Sequence, residues 1–519
     1  MQQTITLRIL PSEAANNQLV TKMIAQACAT KQSNITGYNI LKQSIDARGR
    51  TVYFQLTIQA FINEPYRQRS LLPLELQQVH RANNRVIVVG AGPAGLFASL
   101  RLLEHGIQPI IVERGKDVRS RRRDLAAINK EGVVNPESNY CFGEGGAGTY
   151  SDGKLYTRST KRGDVNKILS HLVHFGATEK ILYEAHPHIG TNKLPHIITA
   201  IREMILECGG QVLFEKKVID LLTRNGEVEG VKLLDGEQLK ADAVILATGH
   251  SARDIFAMLH HKNLQVEFKP FALGVRVEHP QALIDSIQYH CPARGEYLPP
   301  ASYSLVEQVQ GKGVFSFCMC SGGIIAPAAT NPGEIVVNGW SPSKRNNPYA
   351  NSGIVVTVEE ELIQPFLKYG PLAGMYFQQA VEQRAFEAGG GKLKAPAQRL
   401  VDFVNGKLSA SLPDCSYLPG INSSDLKAVL PNEIYSTLQN GFKEFGKKMK
   451  GYLTNDAVVV ATESRTSSPV RIPRTESLEH PQVMNLYPCA EGAGYAGGIV
   501  SAAMDGQKVA DAISLKFKG

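Results

Sequence analysis

The sequence of 519 residues has few of the features that mark a secreted, fibrous or membrane-spanning protein. It contains eight cysteines and no Cys-x-x-Cys pair, which excludes a disulfide scaffold and favours a reducing compartment. Its longest weakly polar run, residues 86–100, is too short to cross a bilayer and includes three glycines and a proline. The N-terminus lacks a basic region followed by an apolar run. These absences predict a soluble, cytoplasmic protein.

A large charge of one sign is also missing. The 56 lysines and arginines exceed the 48 aspartates and glutamates by eight, an excess too small to require a nucleic-acid partner. Most of it lies in residues 1–84, which hold nine basic and four acidic side chains. An apolar fraction of 43% with 20% charged residues is typical of globular proteins and excludes disorder, collagen and coiled coil as the main architecture.

The order of patterns along the chain predicts three domains. A strand, a helix and two strands within residues 1–65 predict a small βαββ domain of ferredoxin-like type, followed by a linker at 66–84. Residues 85–260 and 456–519 have the pattern of one discontinuous α/β domain of Rossmann type. Residues 261–455 lie between these halves and predict an inserted, mixed α+β substrate or cap domain.

The strongest motif is Gly90-x-Gly92-x-x-Gly95, because a strand precedes it and a helix follows. The β-branched run at 85–89 is typical of a buried parallel strand, and Pro93 suits the first turn of a helix. Glu113 ends the next strand, 18 residues after Gly95, where an acid accepts ribose hydroxyls. The motif predicts a dinucleotide site that includes Gly90, Gly92, Pro93, Ala94, Gly95 and Glu113.

Two further G-x-G-x-x-G patterns lack this complete context. The first includes Gly145, Gly146, Ala147 and Gly148, and is either a loop against a flat ligand or a surface loop. The second includes Glu491, Gly492, Gly497, Gly498 and Ile499, and opens the last helix. The N-terminus of that helix would stabilise a reduced, anionic flavin.

The glycine turn GAGPAG, the strand that ends in Ala247-Thr248-Gly249 and the C-terminal glycine–helix segment resemble the FAD domain of flavoprotein oxidoreductases. This resemblance implies FAD as the cofactor, with its adenine half on the first unit and its flavin ring near the C-terminal segment. It also implies that the backbone of Val218 lies near the adenine.

Longer segments resemble the bacterial FAD-dependent dehydrogenase family, also called NAD(FAD)-utilising dehydrogenases, of the FAD/NAD(P)-binding Rossmann superfamily. They include FGEGGAGTYSDGKLYTR (142–158), HPHIGTNKL (186–194), VILATGHSARD (244–254), FSFCMCSGG (315–323) and YPCAEGAGYAGGIVSAAMDG (487–506). The likeness covers almost the whole chain and implies fold and cofactor but no substrate. By its family position Arg121, with Arg114 nearby, is expected to neutralise the FAD pyrophosphate.

Four side chains are candidates for chemistry beyond the cofactor. Lys154 would stabilise negative charge on the reduced ring, or it is a solvated loop lysine. His250 directly follows Ala-Thr-Gly and is expected near the cofactor. If residues 315–320 form a strand, Cys318 and Cys320 face one side as a redox pair, or they are two core residues. No metal site is expected, because His186, His188 and His196 lack acids or cysteines at ligand spacing.

We therefore predict an FAD-dependent oxidoreductase that transfers hydride through flavin N5 between a small-molecule substrate and an unknown donor or acceptor. NAD(P)H would be a transient donor. One alternative is an RNA-associated or partner-binding flavoprotein that uses the basic N-terminal domain, although that domain lacks the aromatic stretches that stack bases. Another alternative is a prenyl-lipid or polyene reductase.

Overall fold

The computed structural model of the protein describes residues 1–157 and 163–518; the last residue of the segment 142–158 lies outside them. The first elements are β1 (Gln2–Ile9), α1 (Pro11–Ala14), α2 (Asn17–Ala27), β2 (Ile35–Asp46) and β3 (Tyr53–Ile62). The next are β4 (Arg85–Val89), α3 (Pro93–Glu104), β5 (Gln108–Val112), α4 (Val118–Glu131), α5 (Val165–His174), α6 (Leu194–Glu207), β6 (Gln211–Leu213), β7 (Val218–Arg224), β8 (Glu227–Leu233), β9 (Gln238–Lys240), β10 (Ala243–Leu246) and α7 (Arg253–His261).

The middle of the chain alternates strands and helices without the regular order of the preceding part. Its elements are β11 (Glu267–Phe268), β12 (Phe271–Pro280), α8 (Gln281–Tyr289), β13 (Val306–Val309), β14 (Lys312–Cys320), β15 (Ile324–Pro327), β16 (Val337–Trp340), β17 (Tyr349–Val358), α9 (Ala373–Gly389), β18 (Ala395–Arg399), α10 (Leu400–Asn405), β19 (Ile421–Ser423), α11 (Asn432–Lys448) and β20 (Val458–Glu463). The chain ends with β21 (Val470–Arg471), β22 (Leu486–Pro488) and α12 (Ile499–Lys518).

The N-terminal unit is a three-stranded antiparallel sheet in the order β1-β3-β2, covered by α2. Alternate residues of β3 are buried, as expected for a strand with one face on a core. That face packs on Val20 and Ile24 of α2. The Asn16 side chain accepts hydrogen bonds from two backbone amides of the first turn of α2 and fixes its start. Backbone hydrogen bonds of Gln43 with Tyr183 and Ala185 join the unit to the body of the molecule.

A five-stranded parallel sheet in the order β22-β10-β4-β5-β6 forms the centre of the α/β part. The strand β22 comes from the end of the chain and pairs with β10, so this sheet collects strands from both sides of the middle segment. Helix α12 crosses α3 closely: a Cβ on Gly506 would overlap the carbonyl oxygen of Ala94. The C-terminal helix therefore lies beside the first glycine turn.

The middle segment builds a seven-stranded sheet in the order β13-β14-β17-β12-β20-β18-β19. Aromatic side chains of α10 and α11, including Phe403, Phe442 and Phe445, are buried against it with Tyr452. Since β20 pairs with β12 and β18, it belongs to this sheet. These contacts group residues 458–463 with the middle segment, whereas the predicted boundary lies between residues 455 and 456.

No helix among residues 1–157 and 163–518 is long and apolar enough to cross a membrane.

Candidate functional site

A cavity opens at the carboxyl ends of β4 and β10, where the first glycine turn meets the Ala247-Thr248-Gly249 turn. Gly90 has a φ of 105°, and a Cβ there would lie 2.5 Å from the carbonyl oxygen of Ala247. A side chain would therefore drive the two turns apart. In an open α/β sheet, ligands bind in the crevice outside this edge.

The other two glycines of the motif have different surroundings. Gly92 lines the cavity with Pro93 and Ala94, and a Cβ on it would meet no described atom within 4 Å. Gly95 is outside the lining, which corrects its inclusion among the cofactor contacts. A Cβ on Gly95 would overlap the carbonyl oxygen of Gly90, so this glycine acts by letting α3 pack closely on β4.

Glu113 ends β5, is buried and lines the cavity. Its Oε1 accepts hydrogen bonds from the amides of Gly115 (2.8 Å) and Gly143 (2.9 Å), and its Oε2 accepts one from the amide of Ala91 (2.9 Å). A carboxylate offers about four acceptor positions, so Oε2 retains one for a hydroxyl donor. The same carboxylate thus ties the first glycine turn to the second glycine loop, a connection that the sequence did not reveal.

The second glycine loop forms part of the cavity wall. Gly146, Ala147 and Gly148 line it, and a Cβ on Gly146 would lie 3.2 Å from the Cα of Gly92. Gly145 does not line it, and its contact with the cofactor stays a prediction: its amide donates to the carbonyl of Ala91 (2.8 Å) and anchors the loop.

Arg121 is fully buried and lies outside the cavity lining, which corrects its predicted contact with the pyrophosphate. Its guanidinium donates hydrogen bonds to the carbonyl oxygens of Asn139 (2.7 Å), Tyr140 (2.8 Å) and Glu144 (2.8 Å). These carbonyls belong to the backbone that leads into the second glycine loop. Arg121 therefore fixes the backbone conformation of that loop without lining the cavity.

One end of the cavity carries basic side chains around Val218, the predicted adenine contact. Arg114 lines it, stacks on the Phe142 ring and pairs with Glu137 and Asp254. Lys216 and Lys217 also line it, and sequence reasoning missed both. Their position directly before Val218 is the signal that could have found them.

The cavity wall also includes the Ala-Thr-Gly turn and the start of α12. It is lined by Ala247, Thr248, Gly249, His250, Glu491, Gly498 and Ile499. Two buried atoms, Thr248 Oγ1 and His250 Nδ1, make no hydrogen bond to any described residue. His250 Nδ1 lies 3.2 Å from Glu491 Oε1, but the angle does not suit a hydrogen bond.

Two residues of the C-terminal glycine pattern, Gly492 and Gly497, lie outside this lining, and their contact with the cofactor stays a prediction. A Cβ on Gly492 would lie 2.8 Å from the carbonyl oxygen of Gly249, so Gly492 lets the two turns pack together. Gly497 lines a separate, polar cavity on the other side of Glu491. That second cavity is lined by Thr157, Lys269, Thr466, Ser467, Ser468, Glu491, Gly494, Tyr495, Ala496, Gly497 and Ser501.

Lys154 and Asp152 follow the second glycine loop and line the cofactor cavity. The Lys154 ammonium donates to the carbonyl of Met319 and lies 3.6 Å from the Asp152 carboxylate. Burial opposes the ammonium form, but the Cys318 thiol group and Asp152 outweigh it and raise the pKa of Lys154. Asp152 is also hydrogen bonded by Ser341 and Arg345. Lys154 is therefore a fixed positive charge.

The predicted cysteine pair is not on one face of a regular strand. The pairing of β14 with β17 is interrupted between Phe317 and Cys320, and Cys318 has a φ of 45°. As a result, Cys318 lines the cavity, whereas Cys320 is fully buried and outside the lining. A hydrogen bond from the Cys320 thiol, with the charges of Lys154 and Arg276, lowers the pKa of Cys318 to about 5.

The lining fits FAD in three respects. Gly92 leaves its side of the cavity open at the N-terminus of α3, where a helix favours phosphate. Glu113 retains an acceptor position for a ribose hydroxyl. Thr248 Oγ1 is a buried polar atom at the cavity wall that makes no hydrogen bond to a described residue. One elongated ligand with phosphate, ribose and a polar ring system would engage all three.

Comparisons with known proteins agree with this chemistry. Residues 84–267 match the pyridine nucleotide-disulphide oxidoreductase family, and residues 270–466 match the C-terminal domain-like family of FAD-dependent proteins. Residues 1–61 match a domain of unknown function.

Related sequences and structures range from full-length to partial matches. An "uncharacterized protein" of Clostridium beijerinckii is 40% identical over 517 residues, covering 96% of each chain. A thiamine thiazole synthase of Aeropyrum pernix is 30% identical over 182 residues, covering 32% of this chain and 55% of the relative. A solved geranylgeranyl bacteriochlorophyll reductase-like protein of Thermoplasma acidophilum is 12% identical, with 84% of this chain and 79% of that chain covered and a TM-score of 0.36.

The predictions of FAD as cofactor and of an oxidoreductase are thereby confirmed. Together with its full-length clostridial relative, the chain belongs to a family of FAD-dependent oxidoreductases that carry a pyridine nucleotide-disulphide oxidoreductase domain.

Proposed function

We propose that FAD occupies the cavity from end to end, with its adenosine at Val218 and Glu113 and its flavin ring between His250, Lys154 and the start of α12. The observation that carries this proposal is that residues from all three glycine segments line one cavity. Gly92 and the start of α3 would hold the pyrophosphate, and Glu113 Oε2 would accept from the ribose. Arg114, Lys216 and Lys217 supply positive charge at the adenosine end.

The bound flavin supplies reversible hydride transfer at N5 between a small-molecule substrate and a donor or acceptor. Two features of this chain would stabilise the negative charge that reduction brings: the N-terminus of α12 and the ammonium of Lys154. Asp152 is a positioning residue, because its carboxylate lies beside the Lys154 ammonium and is itself held by Ser341 and Arg345. His250 would hydrogen bond to the cofactor or substrate through its unpartnered Nδ1.

We place the substrate in the second, polar cavity, which shares Glu491 with the cofactor cavity. Hydroxyl side chains and Lys269 line it, which suits a polar molecule. The donor in this scheme is NAD(P)H, which binds transiently and leaves after reduction.

We also propose domains at 1–65, at 85–260 with 464–519, and at 261–463, with a linker at 66–84. The sheet membership of β20 and β22 supports the revised middle boundary. The small first domain keeps its ferredoxin-like assignment as a proposal.

Anaerobic mixing of the FAD-loaded protein with NADH, and separately with NADPH, tests the reaction. We expect one of the two to bleach the flavin absorbance, and Lys154→Met to slow that bleaching about tenfold or more, in line with the loss of a charge worth about 1.4 kcal/mol or more. Lys154→Arg is the matched control, since it keeps the charge. The reaction scheme would be contradicted by a flavin that neither nucleotide reduces.

The two alternatives from the sequence stay predictions. An RNA-associated role predicts a salt-sensitive gel shift that disappears when residues 1–65 are deleted. A prenyl-lipid or polyene reductase role predicts reduction of an apolar polyene by the FAD-loaded protein.

A further inference from the structure

The cysteine pair at the end of β14 is the strongest feature that cofactor binding leaves unexplained. All eight cysteines of the chain are free thiols in the structure. Two of them, Cys141 and Cys318, line the cofactor cavity. The backbone carbonyl of Cys318 accepts a hydrogen bond from a second cysteine thiol, that of Cys320 (3.3 Å). The neighbour, Cys320, is fully buried behind it.

The irregular backbone at this point places Cys318 in the lining of the cofactor cavity. Regular pairing with β17 stops after Phe317 and resumes at Cys320. Between them Cys318 takes a left-handed conformation, which is uncommon for a residue other than glycine. Residues two apart in a chain lie at most about 7 Å from each other, and a disulfide spans Cα separations of about 4.4–6.8 Å. The hydrogen bond from the Cys320 thiol to the Cys318 carbonyl keeps the second sulfur close to this residue.

Two cations flank the pair. The Lys154 ammonium is held on the carbonyl of Met319, the residue between the two cysteines. The Arg276 guanidinium donates to the carbonyl of Cys318 (2.7 Å) and lies 3.6 Å from Cys320 Sγ. Arg276 is itself fully buried and paired with Glu463 (2.5 Å). Positive charge on both sides stabilises a thiolate, the form that forms and breaks disulfides.

We propose that Cys318 and Cys320 form a dithiol–disulfide couple that exchanges an electron pair with the flavin across the shared cavity. This inference rests on the proposed position of the flavin ring. The cysteine pair would then carry electrons between the flavin and a substrate.

The exchange balances without a further reactant. In the reducing direction the Cys318–Cys320 bond breaks as it accepts a hydride equivalent, two electrons and one proton, from the reduced flavin. Cys318 is released as the thiolate and Cys320 takes the proton. This distribution agrees with the lowered pKa of Cys318. It also agrees with the pKa of Cys320, which is raised well above the usual value by the interaction with Cys318 and by burial. In the opposite direction the thiolate and the thiol form the bond and reduce the oxidised flavin.

Peptide mapping by mass spectrometry tests the couple without relying on turnover. The wild-type protein, with FAD bound, is oxidised with diamide, freed of reagent and alkylated under denaturing conditions. We expect a peptide in which Cys318 and Cys320 escape alkylation and which is two hydrogens lighter than its reduced form. Full alkylation of both cysteines would overturn the proposal, and this outcome needs no variant to fold.

Anaerobic reductive titration with dithionite then tests whether the couple communicates with the flavin. The pre-oxidised wild type should consume twice as many electrons per flavin as Cys318→Ser or Cys320→Ser. Cys28→Ser is the matched control, because it removes a half-buried thiol of the N-terminal unit, outside the cavity lining, and should behave as the wild type. Equal electron uptake by the wild type and Cys318→Ser overturns the relay, whereas a protein that binds no flavin overturns the proposed function instead.

Discussion

At the residue scale, the chemistry of the site depends on charges that neighbouring groups hold in place. Lys154 and Arg276 lie on either side of the Cys318–Cys320 pair, and Asp152 in turn is fixed by Ser341 and Arg345. A charge fixed in a partly dry cavity acts on its neighbours far more strongly than the same charge in water.

The lowered pKa of Cys318 predicts an unusual pH dependence of its alkylation. In the FAD-free protein, labelling of Cys318 by iodoacetamide should vary little between about pH 6 and 8 and fall about tenfold per unit below about pH 5, because only the thiolate reacts. An ordinary thiol loses reactivity already below about pH 8.5. Cys320→Ser, which weakens the hydrogen bond, and Lys154→Met should each move the decline to higher pH. A wild-type rate that falls steeply from pH 8 to 6 would contradict the assignment.

Single residues also show the limits of sequence reasoning. Glu113 was predictable, because the end of the second strand fixes the position of a ribose acid. Arg121 was not, because a run of basic residues does not show which one faces inward. The separate surroundings of Cys318 and Cys320 follow from an irregularity of the strand pairing, which the spacing of two cysteines cannot reveal.

At the scale of elements, two glycines of the first G-x-G-x-x-G motif have different functions in the strand–turn–helix unit. Gly95 lies where α3 packs on β4, whereas Gly92 lies at the start of α3 facing the cavity. The motif predicts the site as a whole, and the structure separates the two roles.

These two positions predict that substitution by alanine weakens FAD binding at one glycine and lowers folding stability at the other. Gly92→Ala should fold as the wild type, because the φ of −75° at this position suits alanine and the added Cβ meets no described atom within 4 Å. The same substitution should weaken FAD binding about tenfold or more. Gly95→Ala should cost about 1–3 kcal/mol of folding free energy through overpacking. Urea unfolding of the FAD-free proteins and fluorescence titration with FAD separate the two effects. Equal loss of stability in both variants would contradict the account.

At the scale of the whole molecule, a buried ionic network joins the α/β part to the middle sheet. Glu382 on α9 accepts hydrogen bonds from Arg253 of α7 (2.9 Å) and from Arg465, directly after β20 (2.9 Å). Glu334 pairs with the same two arginines. The chain passes between the two parts near these residues, so the network fixes how the cavity walls meet.

Removal of the central carboxylate should therefore destabilise the molecule. Glu382→Ala leaves the buried Arg465 and the half-buried Arg253 short of a partner and should cost about 3–5 kcal/mol. The exposed pair of Glu444 and Lys447 offers the control, since Glu444→Ala should cost at most about 1 kcal/mol. Urea unfolding at neutral pH measures both. A cost for Glu382→Ala as small as that of the control would contradict the structural role.

The same network predicts a pH dependence. Burial opposes ionisation of Glu382, but Arg253 and Arg465 outweigh it and lower its pKa to about 2. Because the pKa is lower in the folded state, the stabilisation is complete above the ordinary pKa of glutamate and is lost as pH falls toward about 2. The stability difference between the wild type and Glu382→Ala should shrink over this range.

Binding of FAD in this cavity underlies the proposed reaction, and the visible absorbance of the protein after incubation with FAD and gel filtration measures it. We predict one bound flavin per chain for the wild type and a clearly smaller amount for Gly92→Ala. A wild-type protein that emerges colourless, folded and without flavin absorbance would contradict the account.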